Sequence, residues 1–179
     1  LLWFSYVSAY KEANTCVAKA KDCDSHWAYT NGAMQRDETP LGFGAWVKQA
    51  SEVAYDQLFD AHLAVRCWRD LDDGEVAEDQ ALIDQALGQI ARALDQGLAF
   101  ALLYELSRYE QASEAGDALT LNALKVELEI LGPVLWRALL ERSPEATLDE
   151  STWSAQWASL SADDISALRA SIEGAFGCP

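Results

Sequence analysis

No stretch of this chain alternates apolar and polar residues over the length of a strand; its apolar residues recur at three- and four-residue spacing instead. That pattern constrains the fold more than any other feature, because a helical period cannot supply the two faces of a sheet. The Asn31-Gly32 pair is a hairpin signal elsewhere, but its flanks do not alternate here. Local propensity agrees. Alanine and leucine supply 54 of the 179 residues, with Glu, Gln, Lys and Arg between them. The expected fold is all-α, a single-domain bundle of about five helices over residues 1–179, disulfide-stapled, with a long loop around 24–39.

Caps and breakers place the helices. The first covers Leu2 to Asp22, with Trp3, Tyr6/Val7, Tyr10, Ala13/Asn14 and Val17 as its apolar face. A connector from Asp24 to Thr39 follows. Thr39-Pro40 then reads as cap and first position of a second helix, which runs to about Asp70 with Gly42 and Gly44 loosening its first turn. The third helix spans Glu75 to Ala115. Gly88 and Gly97 inside it predict a bend or close packing, and the nearly all-apolar run Leu98–Leu106 marks it as central. The fourth runs from Ala118 to Arg142 and breaks at Gly132-Pro133, since proline has no N–H for the carbonyl of residue 129. A looser stretch carries Trp153 and Trp157. Ser161 with Asp164 then resembles a capping box that opens a last helix to Phe176.

The cysteines are Cys16, Cys23, Cys67 and Cys178, none in a C-x-x-C pair and none with a histidine at zinc-ligand spacing. An even count without metal spacing predicts two disulfides and an oxidising compartment, periplasmic or extracellular. Seven residues of continuous helix separate Cα atoms by about 10.5 Å. A disulfide needs roughly 4.4–6.8 Å. Cys16 and Cys23 are therefore expected not to pair unless the first helix stops early. The pairings 16–67 with 23–178, or 16–178 with 23–67, remain, and the long loops they close would contribute roughly 3–5 kcal/mol. Secretion implies a signal segment removed from, or lying upstream of, Leu1.

The charge is acidic and uneven. Residues 1–70 carry 7 basic and 9 acidic groups, residues 71–179 carry 6 and 20, and the total is −16. Such a field disfavours nucleic acid and anionic membrane and favours a basic protein partner. The longest apolar runs, Leu98–Tyr104 and Leu131–Leu140, are too short or carry Arg137, so no membrane span is expected.

Few residues invite chemistry. There are two histidines. His26 lies in the connector beside Trp27 and Tyr29, where surface placement is the default. His62 lies on the second helix with Leu58, Phe59, Val65 and Arg66 at the positions a metal partner would occupy, so a hydrogen-bonded, partly buried histidine is expected. No Glu-x-x-His spacing suggests a di-iron bundle. Asp70 to Glu75 is out of register for a calcium loop, since Gly74 at loop position six places Arg69 and Leu71 at positions one and three. No metal and no cofactor are expected. Glu105 continues the apolar stripe of Leu87, Ala91, Leu94, Leu98 and Ala101; it is either a raised-pKa acid in a pocket or the partner of Arg108. Trp3, Tyr6 and Tyr10 crowd the first helix, and Trp153 and Trp157 stand four apart in an otherwise polar segment. With His62 and Glu105 they are the candidate binding residues.

Phe4-Ser5-Tyr6-Val7-Ser8-Ala9-Tyr10 through Cys16, with Phe176-Gly177-Cys178, resembles small disulfide-bonded periplasmic immunity proteins. The similarity covers under a fifth of the chain, and Ser5 stands where that pattern has glycine. It implies binding to another protein outside the cytosol. Three functions are therefore carried forward. The first is a non-catalytic, secreted or periplasmic protein-interaction module: an accessory subunit, an inhibitor or an immunity-like protein. The second is a small-ligand binder with an interhelical pocket walled by Trp46, Trp68, Trp136, Trp153 and Trp157. The third is an enzyme with a dispersed carboxylate and histidine site. The absence of catalytic motifs favours the first.

Overall fold

The computed structural model describes residues 2–16, 24–71, 76–143 and 149–177. Among these residues it is helical, with nine α-helices, one 3-10 turn and no strand. The helices are α1 (Leu2–Thr15), α2 (Ser25–Asn31), α3 (Phe43–Ala50), α4 (Glu52–Asp70), α5 (Val76–Ala115), α6 (Ala118–Leu131), α7 (Trp136–Arg142), α8 (Glu150–Ser159) and α9 (Ala162–Phe176); the 3-10 turn is Gly132–Leu135. The all-α class is as the sequence predicts. The number of helices exceeds five because three expected elements are broken or filled by signals with local physical causes.

The first cause is the connector. Residues 24–39 contain α2, which stops where Gly32 adopts φ +64°. From there the chain returns along α2, and the Leu41 N–H donates to the Asn31 carbonyl at 3.3 Å. Thr39-Pro40 does not start the next helix. Gly42 does, at φ +65°, with the Tyr29 carbonyl so close that a Cβ would stand 2.4 Å from its oxygen. Only glycine tolerates both that dihedral and that approach.

The second cause is Ser51. It takes extended backbone between α3 and α4, and its hydroxyl accepts from the Ala54 N–H. The hydroxyl satisfies one of the unpaired N–H groups that open α4. The third is Asp149, which caps α8 through the Thr152 N–H at 2.9 Å and turns the looser stretch into a helix. The Ser161–Asp164 capping box of α9 and the interruption at Gly132-Pro133 stand where the sequence places them.

Two compact units divide the chain, Leu1–Gly97 and Leu98–Pro179, with the first half of α5 in one and its second half in the other. In the first unit α1 packs on α2 and α3 on α4. The buried stripe of α1 is Leu2, Tyr6, Ala9 and Ala13, one step round from the expected face, so Trp3 and Phe4 stay 46% and 53% exposed. Gly97 gives close packing, since a Cβ there would meet Val47 Cγ2 at 2.9 Å. In the second unit α6, α7, α8, α9 and the 3-10 turn pack around Trp153 and Trp157.

The staples do not stand as expected. Cys67 is an exposed, free thiol, which removes both cross-pairings, since each required it. No two cysteines are joined among the described residues. Cys23 and Cys178 lie outside those residues, and Cys16 is buried, so any bond it makes reaches outside them as well. α1 also ends at Thr15, short of the expected Asp22. The helical distance argument against a Cys16–Cys23 pair therefore no longer applies. Asp72 to Glu75 lie outside the described residues too.

Candidate functional site

The first unit buries polar groups that its secondary structure does not need. His26 on α2 and His62 on α4 are both fully buried, their rings edge to edge and nearly coplanar, with centroids 4.9 Å apart and planes 12° apart. Their Nδ1 atoms lie 2.6 Å apart. An N–H must therefore face a lone pair, so the two rings hold opposite tautomers. It follows that one Nε2 carries a hydrogen and the other does not. Neither Nε2 has a partner among the described residues.

Aromatic rings and ion pairs close over the pair. Trp27 meets Phe59 edge to face at 4.7 Å and His62 at 6.3 Å. The Arg66 guanidinium lies 4.7 Å over Trp27, and that of Arg36 lies 4.5 Å over Phe59. Asp24 accepts from Arg69 at 2.8 Å and pairs with Arg66 at 3.3 Å; Arg36 pairs with Asp56 and Asp60. Burial lowers the His26 pKa to about 4; Asp24 opposes the shift, and Arg66 and Arg69 add to it. Burial also holds His62 well below its ordinary value, and His26 adds to the effect. Both imidazoles are neutral at pH 7. Enclosed and bonded to each other, they form a buried polar clasp between α2 and α4.

Beside them the buried Asn31 side chain leaves both amide atoms without a partner among the described residues, as does the Tyr55 hydroxyl. Gly44 lies where a Cβ would come within 2.9 Å of Asn31 Oδ1. On α1, Tyr6 donates its hydroxyl proton to the buried Asp95 at 2.7 Å, and Tyr10 packs against the Tyr6 ring. Sequence reasoning missed His26, Asn31 and Asp95 as buried groups. Only the scarcity of histidine hinted at the clasp, since the chain's two histidines are the two that meet.

In the second unit Glu105 is buried, and Arg108 donates to both its oxygens at 3.1 and 2.9 Å. Glu105 is thus at once a buried acid and the partner of Arg108. Burial raises the Glu105 pKa against the opposing Arg108. Burial and then Glu105 raise Glu127 in turn, with Arg108 opposing. Trp153 and Trp157 pack edge to face at 5.5 Å, Trp136 tilts onto Trp153, and the Trp153 N–H donates to the Gly132 carbonyl at 3.1 Å. Trp153 and Trp157 are fully buried in the core, and Trp136 is half-buried at its edge. Trp68 instead borders a groove of about 210 Å³ with Cys67, Leu71 and Leu82. Among the described residues no three His, Cys, Asp or Glu side chains converge to hold a metal ion, and no helix is long and apolar enough to cross a membrane.

The outer surface carries an apolar feature the sequence reading passed over. Leu124, Leu128 and Leu131 turn α6 inward, yet Leu119, Val126 and Ile130 on its other side are 84%, 58% and 54% exposed. No family model, no curated protein and no solved structure matches this chain.

Proposed function

We propose that the chain is a non-catalytic protein-interaction module. The observation that carries this reading is the pair of exposed apolar faces, Leu119, Val126 and Ile130 on α6 and Trp3 and Phe4 on α1. Large apolar side chains clustered on a strongly acidic surface are a mark of docking faces. The enzyme reading draws less support, because Arg108 holds both Glu105 oxygens and His62 is sealed against His26. The ligand-binder reading loses Trp153 and Trp157 to core packing.

The module belongs, in this reading, to the periplasm or the cell exterior, with a single disulfide at Cys16 in place of two. Its partner is a protein, basic where it meets the acidic surface, since a net charge of −16 steers and retains such a partner. The test is photo-crosslinking in the cell that makes the protein, with a photoreactive residue at Trp3, at Val126 and, as control, at the exposed Glu173. One heteromeric adduct of fixed mass from an apolar position and none from Glu173 is expected. Adducts no stronger than the control at both faces would contradict the reading.

A further inference from the structure

α6 is apolar on two opposite sides. At about 3.6 residues per turn, Leu124, Leu128 and Leu131 fall on one side and are buried. Leu119, Ala123, Val126 and Ile130 fall on the other, spaced four, three and four apart, and all are exposed. That is the spacing of a helix-pairing seam, a and d positions in the heptad sense. It runs over 12 residues, or roughly 16 Å at 1.5 Å rise per step. An ordinary surface helix has one apolar stripe, which it spends on its own core. The second stripe on α6 has no such use in the second unit.

The edges of the seam carry the information about its occupant. Glu127 borders one edge, and Asn122 and Glu129 border the other. Lys125, the only basic residue of α6, lies further round towards the buried side. In an antiparallel or parallel pairing of two copies, these glutamates would face glutamates, and two chains of −16 would be brought together. A helix with lysine or arginine beside its own apolar stripe meets opposite charge along both edges.

We infer that the outer face of α6 is a docking site for an amphipathic helix of a partner protein, about three turns long, with basic residues flanking its apolar stripe. The inference rests on the protein-interaction reading and narrows it to one face and one class of partner. Leu119, Val126 and Ile130 provide the apolar contact, and Glu127 and Glu129 set orientation and reject acidic helices.

The test titrates three labelled synthetic peptides into the full chain and follows fluorescence anisotropy. One carries a leucine seam flanked by lysines, the second the same seam flanked by glutamates, and the third the lysines with no seam. The first is expected to bind with a Kd of about 1–100 µM and to weaken as salt rises. Val126→Glu and the pair Glu127→Lys/Glu129→Lys should each weaken it more than tenfold, and the charge-reversed chain should take the glutamate peptide instead. Circular dichroism checks that the variants fold.

Equal binding to the wild-type chain and Val126→Glu, or equal binding of the seamless peptide, would overturn the inference in favour of diffuse charge attraction. A sedimenting dimer that Val126→Glu dissolves would overturn it in favour of a second copy. Failure of every peptide to bind would overturn it outright. Crosslinks from Trp3 alone would then leave the interaction reading standing while removing α6 from it.

Discussion

His26 and His62 meet Nδ1 to Nδ1 at 2.6 Å, in a core that leaves neither ring exposed. The contact joins α2, a helix of 7 residues, to the 19-residue α4. A helix of two turns has little stability of its own in water, so its order comes from packing. Trp27 and the histidine clasp supply that packing, and the carbonyls at the end of α2 then hold the returning chain at Leu41.

The clasp makes stability depend on pH. An unfolded histidine titrates near 6.5, whereas burial holds His26 at about 4 and His62 well below its ordinary value. Between those values the unfolded chain binds protons that the folded chain refuses. The contribution is therefore complete above pH 6.5 and is lost as pH falls towards 4 and below, on the order of 3 kcal/mol for His26. Glu105 and Glu127, raised by burial, slope the other way as pH rises past the ordinary carboxylate range. Urea unfolding at pH 7.5 and pH 5 is expected to show a lower midpoint at pH 5, and His26→Phe/His62→Phe should remove most of the drop. Identical pH slopes in the two proteins would sink this account.

Gly132 is required by Trp157. A Cβ on residue 132 would stand 2.0 Å from Trp157 Cδ2, inside the indole. Gly132→Ala should cost about 3 kcal/mol or more, because a fully buried ring between α6 and α8 has nowhere to move. Tryptophan emission should shift to longer wavelength as the cluster loosens. An unchanged thermal midpoint would show that the core yields more easily than its packing indicates.

A free Cys67 leaves three cysteines, so at most one intrachain disulfide forms. Intact mass after alkylation without reduction should show two labels, Cys67 and one other, with two protons lost to a single bond at Cys16. Peptide mapping then identifies Cys23 or Cys178 as its partner. Four labels before reduction would remove the oxidising compartment from the proposal.

The fold was legible in proportion to how local its causes are. The helical class followed from three- and four-residue spacing, and the α9 capping box and the break at Gly132-Pro133 were readable because each is set by neighbours in sequence. Ser51 was equally local and was overlooked among the residues of a supposed single helix. The start of α3 was not readable, because Gly42 is selected by the Tyr29 carbonyl across a turn. The face of α1 was misjudged by one step, since Leu2 and Trp3 are both apolar and the spacing admits either beside Tyr6; the structure buries Leu2 and Ala9 and leaves Trp3 exposed. Glu105 was legible through its i+3 arginine; His26 was not, because its partner lies 36 residues away. The outer stripe of α6 was visible in the sequence as spacing, but only burial shows which of two apolar sides is spare.

The central claim is that Leu119, Val126 and Ile130 serve a partner and not the fold. It is tested most directly by urea unfolding of the triple variant Leu119→Ser/Val126→Ser/Ile130→Ser beside the wild-type chain. Exposed side chains that pack on nothing should give a loss within about 0.5 kcal/mol per site, together with loss of the crosslinked adduct from α6. A loss of several kcal/mol with a lower unfolding midpoint would show that the chain covers this face itself, and would contradict the claim.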